Sequence, residues 1–195
     1  MGQYRLRSLI THIARIVPDD VTVLDVGCGN GKLAAGISGL RPDLTIQGVD
    51  IASVARSAIK IHYYDGDRIP FPDNSWDICM ANDVLHHCLD PRITLMEMCR
   101  VAKYGLILKD HIADTWGDRL LLTIMDWAGN RGYGTPLPYN FLTTKEWSSL
   151  FDEMGLRHVE HSTRLNLYPP YFFGFLDRQL HFLARLDKKT HGLIH

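Results

Sequence analysis

Residues 21–35 read VTVLDVGCGNGKLAA. A β-branched run ends in an acid, Asp25, crosses a glycine-studded turn and opens into helix-forming residues. That order makes it the first strand, loop and helix of an α/β ligand-binding sheet. Gly27, Gly29 and Gly31, with Cys28 among them, can take backbone angles closed to other residues and leave room for a ligand against the main chain. The turn therefore reads as a nucleotide pocket.

Spacing and charge narrow the choice of nucleotide. A dinucleotide fingerprint wants its third glycine three places after the second, where Lys32 stands. A phosphate-binding P-loop fails as well, because Val26 and Leu33 occupy the places of its first glycine and its Ser or Thr. Asp25 would repel a pyrophosphate but suits a ligand carrying ammonium or sulfonium charge.

Downstream, Leu44 to Val49 reads as the second strand and ends at Asp50. An acid about 20 residues beyond the glycine turn is placed to accept hydrogen bonds from ribose hydroxyls; the alternative is that Asp50 only caps a following helix, expected over Ser53 to Ile59. A third strand, Lys60 to Tyr64, runs into DGDRIPFPDNSWD. WDICMA (Trp76 to Ala81) is a fourth strand, with Asn82 and Asp83 at the carboxyl edge where open α/β sheets bind ligands.

With LDVGCGNG and IPFPDNSWD on the page, the chain resembles the Rossmann-like (class I) S-adenosylmethionine-dependent methyltransferases, in particular the small-molecule, type 11-like branch. The resemblance is specific over roughly Val21 to Val101 and loose beyond. It implies an α/β, single-domain, three-layer sandwich with a mostly parallel seven-stranded sheet, an antiparallel last strand and an insertion after the fifth strand. It also implies S-adenosyl-L-methionine as cofactor, with S-adenosyl-L-homocysteine as product. Asp25, Gly27, Cys28, Gly29, Gly31, Asp50, Ile51, Asp65, Gly66 and Asn82 are the cofactor residues expected on this basis. Asp65 matches the acid that meets the adenine amine, with Asp67 in reserve; either could instead be a plain turn aspartate.

Composition limits the partners. At 195 residues and 46% hydrophobic the chain fits one domain with a substantial core. Its 21 basic and 22 acidic residues nearly cancel, so no global basic field favours nucleic acid as substrate. Four cysteines without metal-ligand spacing suit reduced packing thiols. Neither a signal segment nor a membrane span is apparent, which points to the cytoplasm. A small-molecule acceptor is the expected partner, and the oligomeric state is left open.

Residues 1–20 hold an amphipathic helix carrying Leu6, Leu9, Ile10, Ile13 and Val17, suited to covering a sheet face or to a part in substrate entry. The matched segment Val84-Leu85-His86-His87 offers two histidines. Neither reads as a metal ligand, because neighbouring histidines do not share a helix face and no carboxylate stands at recognisable spacing. Asp90-Pro91 starts a helix with Leu95, Met98, Cys99 and Ala102 on its buried stripe, and a fifth strand, Gly105 to Lys109, ends in Asp110 and His111. Residues 112–140 form the insertion, expected as a substrate lid with Trp127, Tyr133 and Tyr139 as wall residues, or as packing on the sheet edge. A capping box at Thr143 and Glu146 starts another helix. Strands at Arg157 to His161 and Leu180 to Leu186 flank an aromatic arm at 162–179, YPPYFF at its centre.

A sulfonium methyl is already activated, so catalysis rests on alignment in a dry site. For a hydroxyl or amine acceptor, His111, His87 and Asp110 are the candidate bases; a carboxylate, carbanion or thiolate needs none. Two other readings stand beside the methyltransferase: a silent S-adenosylmethionine-binding module, and an NAD-dependent oxidoreductase, against which the glycine spacing and Asp25 both count.

Overall fold

The computed structural model describes residues 2–130, 138–169 and 179–189. Helix α1 (Gly2–Ile16) precedes β1 (Thr22–Val26), α2 (Lys32–Leu40), β2 (Thr45–Asp50), β3 (Ile61–Tyr63) and β4 (Trp76–Asn82). A 3-10 turn (Leu85–His87) leads to α3 (Pro91–Val101), β5 (Ala102–His111), α4 (Trp116–Asn130), α5 (Thr144–Glu153), β6 (Leu156–Ser162) and β7 (His181–Lys188). The seven strands order as β3-β2-β1-β4-β5-β7-β6. β7 runs antiparallel to both its neighbours, and the other pairings are parallel.

Because the parallel strands are buried on both faces, two cores form. One packs Leu95, Met98, Trp147 and Phe151 of α3 and α5 on the sheet. The other packs Leu9, Ile13 and Ile37 of α1 and α2 on its reverse. Gly36 lets the two helices close, since a Cβ there would stand 2.2 Å from Ile10 Cδ1. Arg41, just past α2, donates to the carbonyls of Ala14, Val17 and Pro18 and so locks the end of α1. Asp90 caps α3 by accepting from Arg92 N, with Pro91 at the first helical position. The capping box at Thr143 and Glu146 is present.

Several local expectations are corrected. Residues 53–59 form no helix: the segment is bent, with Ala58 N donating to Asn30 O and Ile59 lying over Gly31. Seven residues are too few to hold helix against such tertiary ties. β5 starts at Ala102, directly where α3 ends, so Ala102 belongs to the strand. Gly105 serves that strand, as a Cβ would sit 2.2 Å from Leu186 O on β7. Ser162 ends β6, and Leu165, Leu167 and Tyr168, in the described part of the aromatic arm, pack in the α1 and α2 core. Pro170 to Phe173 and Tyr133 lie outside the described residues.

Candidate active site

The carboxyl ends of β1, β2 and β4 converge on the glycine turn, whose three glycines have different jobs. All three have positive φ, at +69°, +56° and +73° for Gly27, Gly29 and Gly31. A Cβ at Gly27 would meet Val84 at 2.6 Å, and one at Gly31 would meet Ile59 at 2.5 Å. At Gly29 nothing lies within 4 Å. Gly27 and Gly31 therefore fold the turn, and Gly29 is the one that presents open backbone. Cys28 packs towards Gly48, and burial pushes its thiol up to about 12, so it is no nucleophile.

Asp50 holds this turn in shape. Its Oδ2 accepts from Gly29 N at 2.6 Å and its Oδ1 from Ala52 N at 2.8 Å. The capping alternative thus holds in altered form, because the carboxylate ties two loops and caps no helix. Each oxygen keeps a second lone pair for a ligand. Asp25 is 2% exposed, and burial followed by the nearby Asp50 raises its carboxyl to about 8. Ile51 stands 64% exposed, and a Cβ at Gly66 would come within 3.3 Å of its Cγ2. Asp65 accepts from Asp67 N at 3.0 Å, which pins the start of that turn and leaves Asp67 the donor. Asn82 donates to Asp83 at 3.2 Å, while its Oδ1 is buried without a hydrogen-bond partner among the described residues. An open glycine backbone, an exposed Ile51 beside Gly66, a strained buried acid and an orphaned amide oxygen together fit a nucleoside ligand with a cationic tail.

Beyond Asn82 lies a polar cluster. Asp83, at φ 56°, accepts from Arg5 of α1 at 2.5 Å and from the Lys109 ammonium, and Nε2 of His111 lies 3.4 Å away. Burial works to raise the Asp83 carboxyl, but Arg5 and Lys109 outweigh it and hold it well below the carboxylate range. Burial, then the charge on Arg5, lowers Lys109 to about 8. Tyr168 accepts from Arg5 at 3.1 Å and meets His181 at 3.2 Å, so the first helix and the segment after β6 both reach the site. This is the part the sequence reading missed; the only local signal was an acid following Asn82 at a strand end.

The three candidate bases separate clearly. Both Asp110 oxygens are engaged, by Leu85 N, by His111 N and by His86 Nδ1 at 2.6 Å. His86, pulled up to about 9 against its burial by Asp110, is therefore the partner of a structural carboxylate. His111 is held well below its usual range by burial, then by Lys109 and His181, and its Nδ1 has no partner among the described residues. His87 is lowered by burial and by His86. The expectation that adjacent histidines diverge and lack a carboxylate is corrected: Nε2 of both lies 3.7 Å from Asp126 Oδ1, supplied by α4. Two adjoining hollows of about 230 and 410 Å³ share Ile112, Thr144 and His161, away from the glycine turn.

Comparison with known proteins follows this geometry. Residues 24–108 match the family described as a methyltransferase domain. An O-methyltransferase of Penicillium expansum is 35% identical over 107 residues, covering 47% of this chain and 38% of the relative. A demethylmenaquinone methyltransferase of Bacillus licheniformis is 27% identical over 172 residues, covering 74% of each. The chain spans between 38% and 55% of the length of three curated relatives it matches. A methyltransferase structure from Aquifex aeolicus superposes with TM-score 0.60 at 17% identity, over 91% of this chain and 88% of that one. Residues 24–108 thus resemble a methyltransferase domain, the fold is shared with a solved S-adenosylmethionine-dependent methyltransferase, and S-adenosylmethionine is the cofactor that this likeness implies.

Proposed function

We propose that this chain methylates a small, apolar or amphipathic molecule at an oxygen or nitrogen atom, with His111 taking the acceptor's proton. The observation that carries the reading is adjacency. His111, whose Nδ1 has no hydrogen-bond partner among the described residues, stands at the end of β5, two residues beyond the register pair of Asn82 and Lys109.

The cofactor supplies a sulfonium methyl that needs no further activation. The chain's residues do the rest. The open backbone at Gly29 admits the ligand, and Asp50 accepts from ribose hydroxyls with its spare lone pairs. Ile51 and Gly66 would flank the adenine and Asp65 would accept from its amine, with Gly27, Cys28 and Gly31 shaping the turn behind. Asp25, at the buried strand end, would favour the cationic tail, and Asn82 Oδ1, buried without a hydrogen-bond partner among the described residues, would accept from its ammonium group. Bound there, the cofactor would supply the methyl and leave as S-adenosylhomocysteine, and His111 Nδ1 would be the group to take the acceptor's proton. Asp110 keeps no such role, because its oxygens are engaged.

The apolar character of the acceptor is supported by α4, which turns Trp116, Leu120, Ile124 and Trp127 outward, all exposed. Leu122, on its other face, packs with Phe141 and Leu180. We read the described part of the 112–140 insertion, residues 112–130 and 138–140, as the wall of the acceptor side, and the whole chain as one methyltransferase domain.

Two measurements test the reading. Calorimetric titration should give micromolar binding of S-adenosylmethionine and S-adenosylhomocysteine and none of NADH, with Asp50→Ala weakening both at least tenfold, the effect of about 1.5 kcal/mol. An acceptor screen read by S-adenosylhomocysteine release should then find turnover with a hydroxyl or amine on an apolar frame. Tight cofactor binding with no release from any oxygen, nitrogen, sulfur or carbon acceptor would instead favour a silent binding module.

A further inference from the structure

We propose that His86, His87 and Asp126 form a divalent metal site, with Nε2 of each histidine and Oδ1 of Asp126 as ligands and Asp110 as the carboxylate that orients His86. The site is independent of the methyl-transfer reading, and no cofactor role depends on it.

The geometry comes from the 3-10 turn after β4. Consecutive residues of such a turn leave its axis about 120° apart, yet the His86 and His87 rings bend back towards each other, with centroids 4.0 Å apart. Helix α4 then lowers Asp126 onto both Nε2 atoms, each 3.7 Å from Oδ1. The three ligand atoms lie within 4.8 Å of one another. Zinc bonds to nitrogen and oxygen of about 2.0–2.2 Å set tetrahedral ligand spacings of about 3.4 Å. The two nitrogen-to-carboxylate separations, at 3.7 Å, stand a few tenths of an ångström above that spacing, and a ring rotation closes the rest.

A second grouping, His86, Asp110 and His111, is equally compact but has the wrong spacing. Asp110 Oδ1 lies 2.6 Å from His86 Nδ1, the distance of a hydrogen bond, with no room for an ion between them. The same contact is what a metal site needs one step out: a ligating histidine that gives its other ring N–H to a carboxylate, fixing tautomer and ring direction. Asp110 is itself held by Leu85 N and His111 N, and Phe141 stacks on His86 at 5.5 Å. The first ligand is thus rigid and dry. Two imidazoles and one carboxylate select a transition ion such as zinc over magnesium or calcium. Three protein ligands leave a fourth position for water or an oxygen of a small molecule. On binding, the ion replaces any proton on the two Nε2 atoms, and those protons leave to solvent.

The test uses the full chain, stripped with chelator and titrated with Co²⁺ and then Zn²⁺ without S-adenosylmethionine. One equivalent of Co²⁺ should give visible d–d bands of low coordination number, and Zn²⁺ should abolish them. Asp126→Asn and His87→Ala, each checked for folding by circular dichroism, should weaken Zn²⁺ binding at least tenfold. His87 is the less buried ligand, so its variant keeps the test open if Asp126→Asn fails to fold. Absence of saturable binding to the natural chain, or undiminished affinity in the folded variants, would overturn the site. So would an intense near-ultraviolet sulfur-to-cobalt band, which would assign the ion to cysteine.

Discussion

Nη2 of Arg5 donates to Oδ2 of Asp83 at 2.5 Å, joining residues 78 positions apart in the chain. Through that bond the first turn of α1 reaches Asp83, and this carboxylate also compensates the wholly buried ammonium of Lys109. Of the two roles expected for this helix, its apolar stripe takes the packing one, while Arg5 pairs with Asp83.

Asp83→Ala should cost on the order of 3 kcal/mol of folding stability, because two cations lose their shared counter-charge and Lys109 cannot reach water. Urea unfolding at neutral pH measures it. Adding Lys109→Met should recover much of the loss; a double variant no more stable than the single one would show that Lys109 is not the source.

The acid at the end of β1 carries a pH signature. Asp25 rises in the fold from 3.8 to about 8, so the folded chain holds a proton that the unfolded chain gives up. Its contribution is full below about pH 4 and is lost as pH rises towards 8, with a slope approaching 1.4 kcal/mol per unit at about mid-window. Asp25→Asn should remove that slope from the pH dependence of urea unfolding. Below pH 8, binding of a cationic ligand should also release a proton, read as a dependence of calorimetric enthalpy on buffer ionisation. Equal enthalpies in all buffers would break the link between Asp25 and the ligand's charge.

The glycines should fail in different ways. Gly27→Ala collides with Val84 and should lose about 1–3 kcal/mol of stability, part of which Val84→Ala restores. Gly29→Val places its Cβ within 4 Å of no atom among the described residues, costs about 1–2 kcal/mol for its left-handed backbone, and should abolish S-adenosylmethionine binding in a folded protein. Retained affinity in Gly29→Val would mean that the ligand lies elsewhere.

His111→Ala should lower kcat at least a hundredfold for a hydroxyl acceptor, the scale of a lost general base. Because the ring stays neutral well below its usual range, the natural enzyme should show no fall in kcat between pH 6 and 8 from this group. Natural turnover in the variant across that range would remove His111 from the mechanism.

The elements of the first half were largely legible because their signals are local. The run from Asp25 to Gly31 leaves β1 and forms the turn, and Asp50 ends β2. Residues 53–59 misread because Ala58 and Ile59 answer to Asn30 and Gly31, a tie that no local propensity records. Asp126 was invisible as a partner for His86 and His87, since about 40 residues separate them and only α4 brings them together.

The sequence by itself determined the strand and helix pattern, the nucleotide-type turn and the preference for a cationic ligand, because hydrophobic period, glycine spacing and one strand-end acid act over a few residues. Only the tertiary structure decided which glycine faces open space, which histidine is neutral and which is charged, and that Arg5 and Tyr168 enter the site. Those properties depend on burial and on charges brought close from distant parts of the chain, and both exist only once the sheet has ordered its strands.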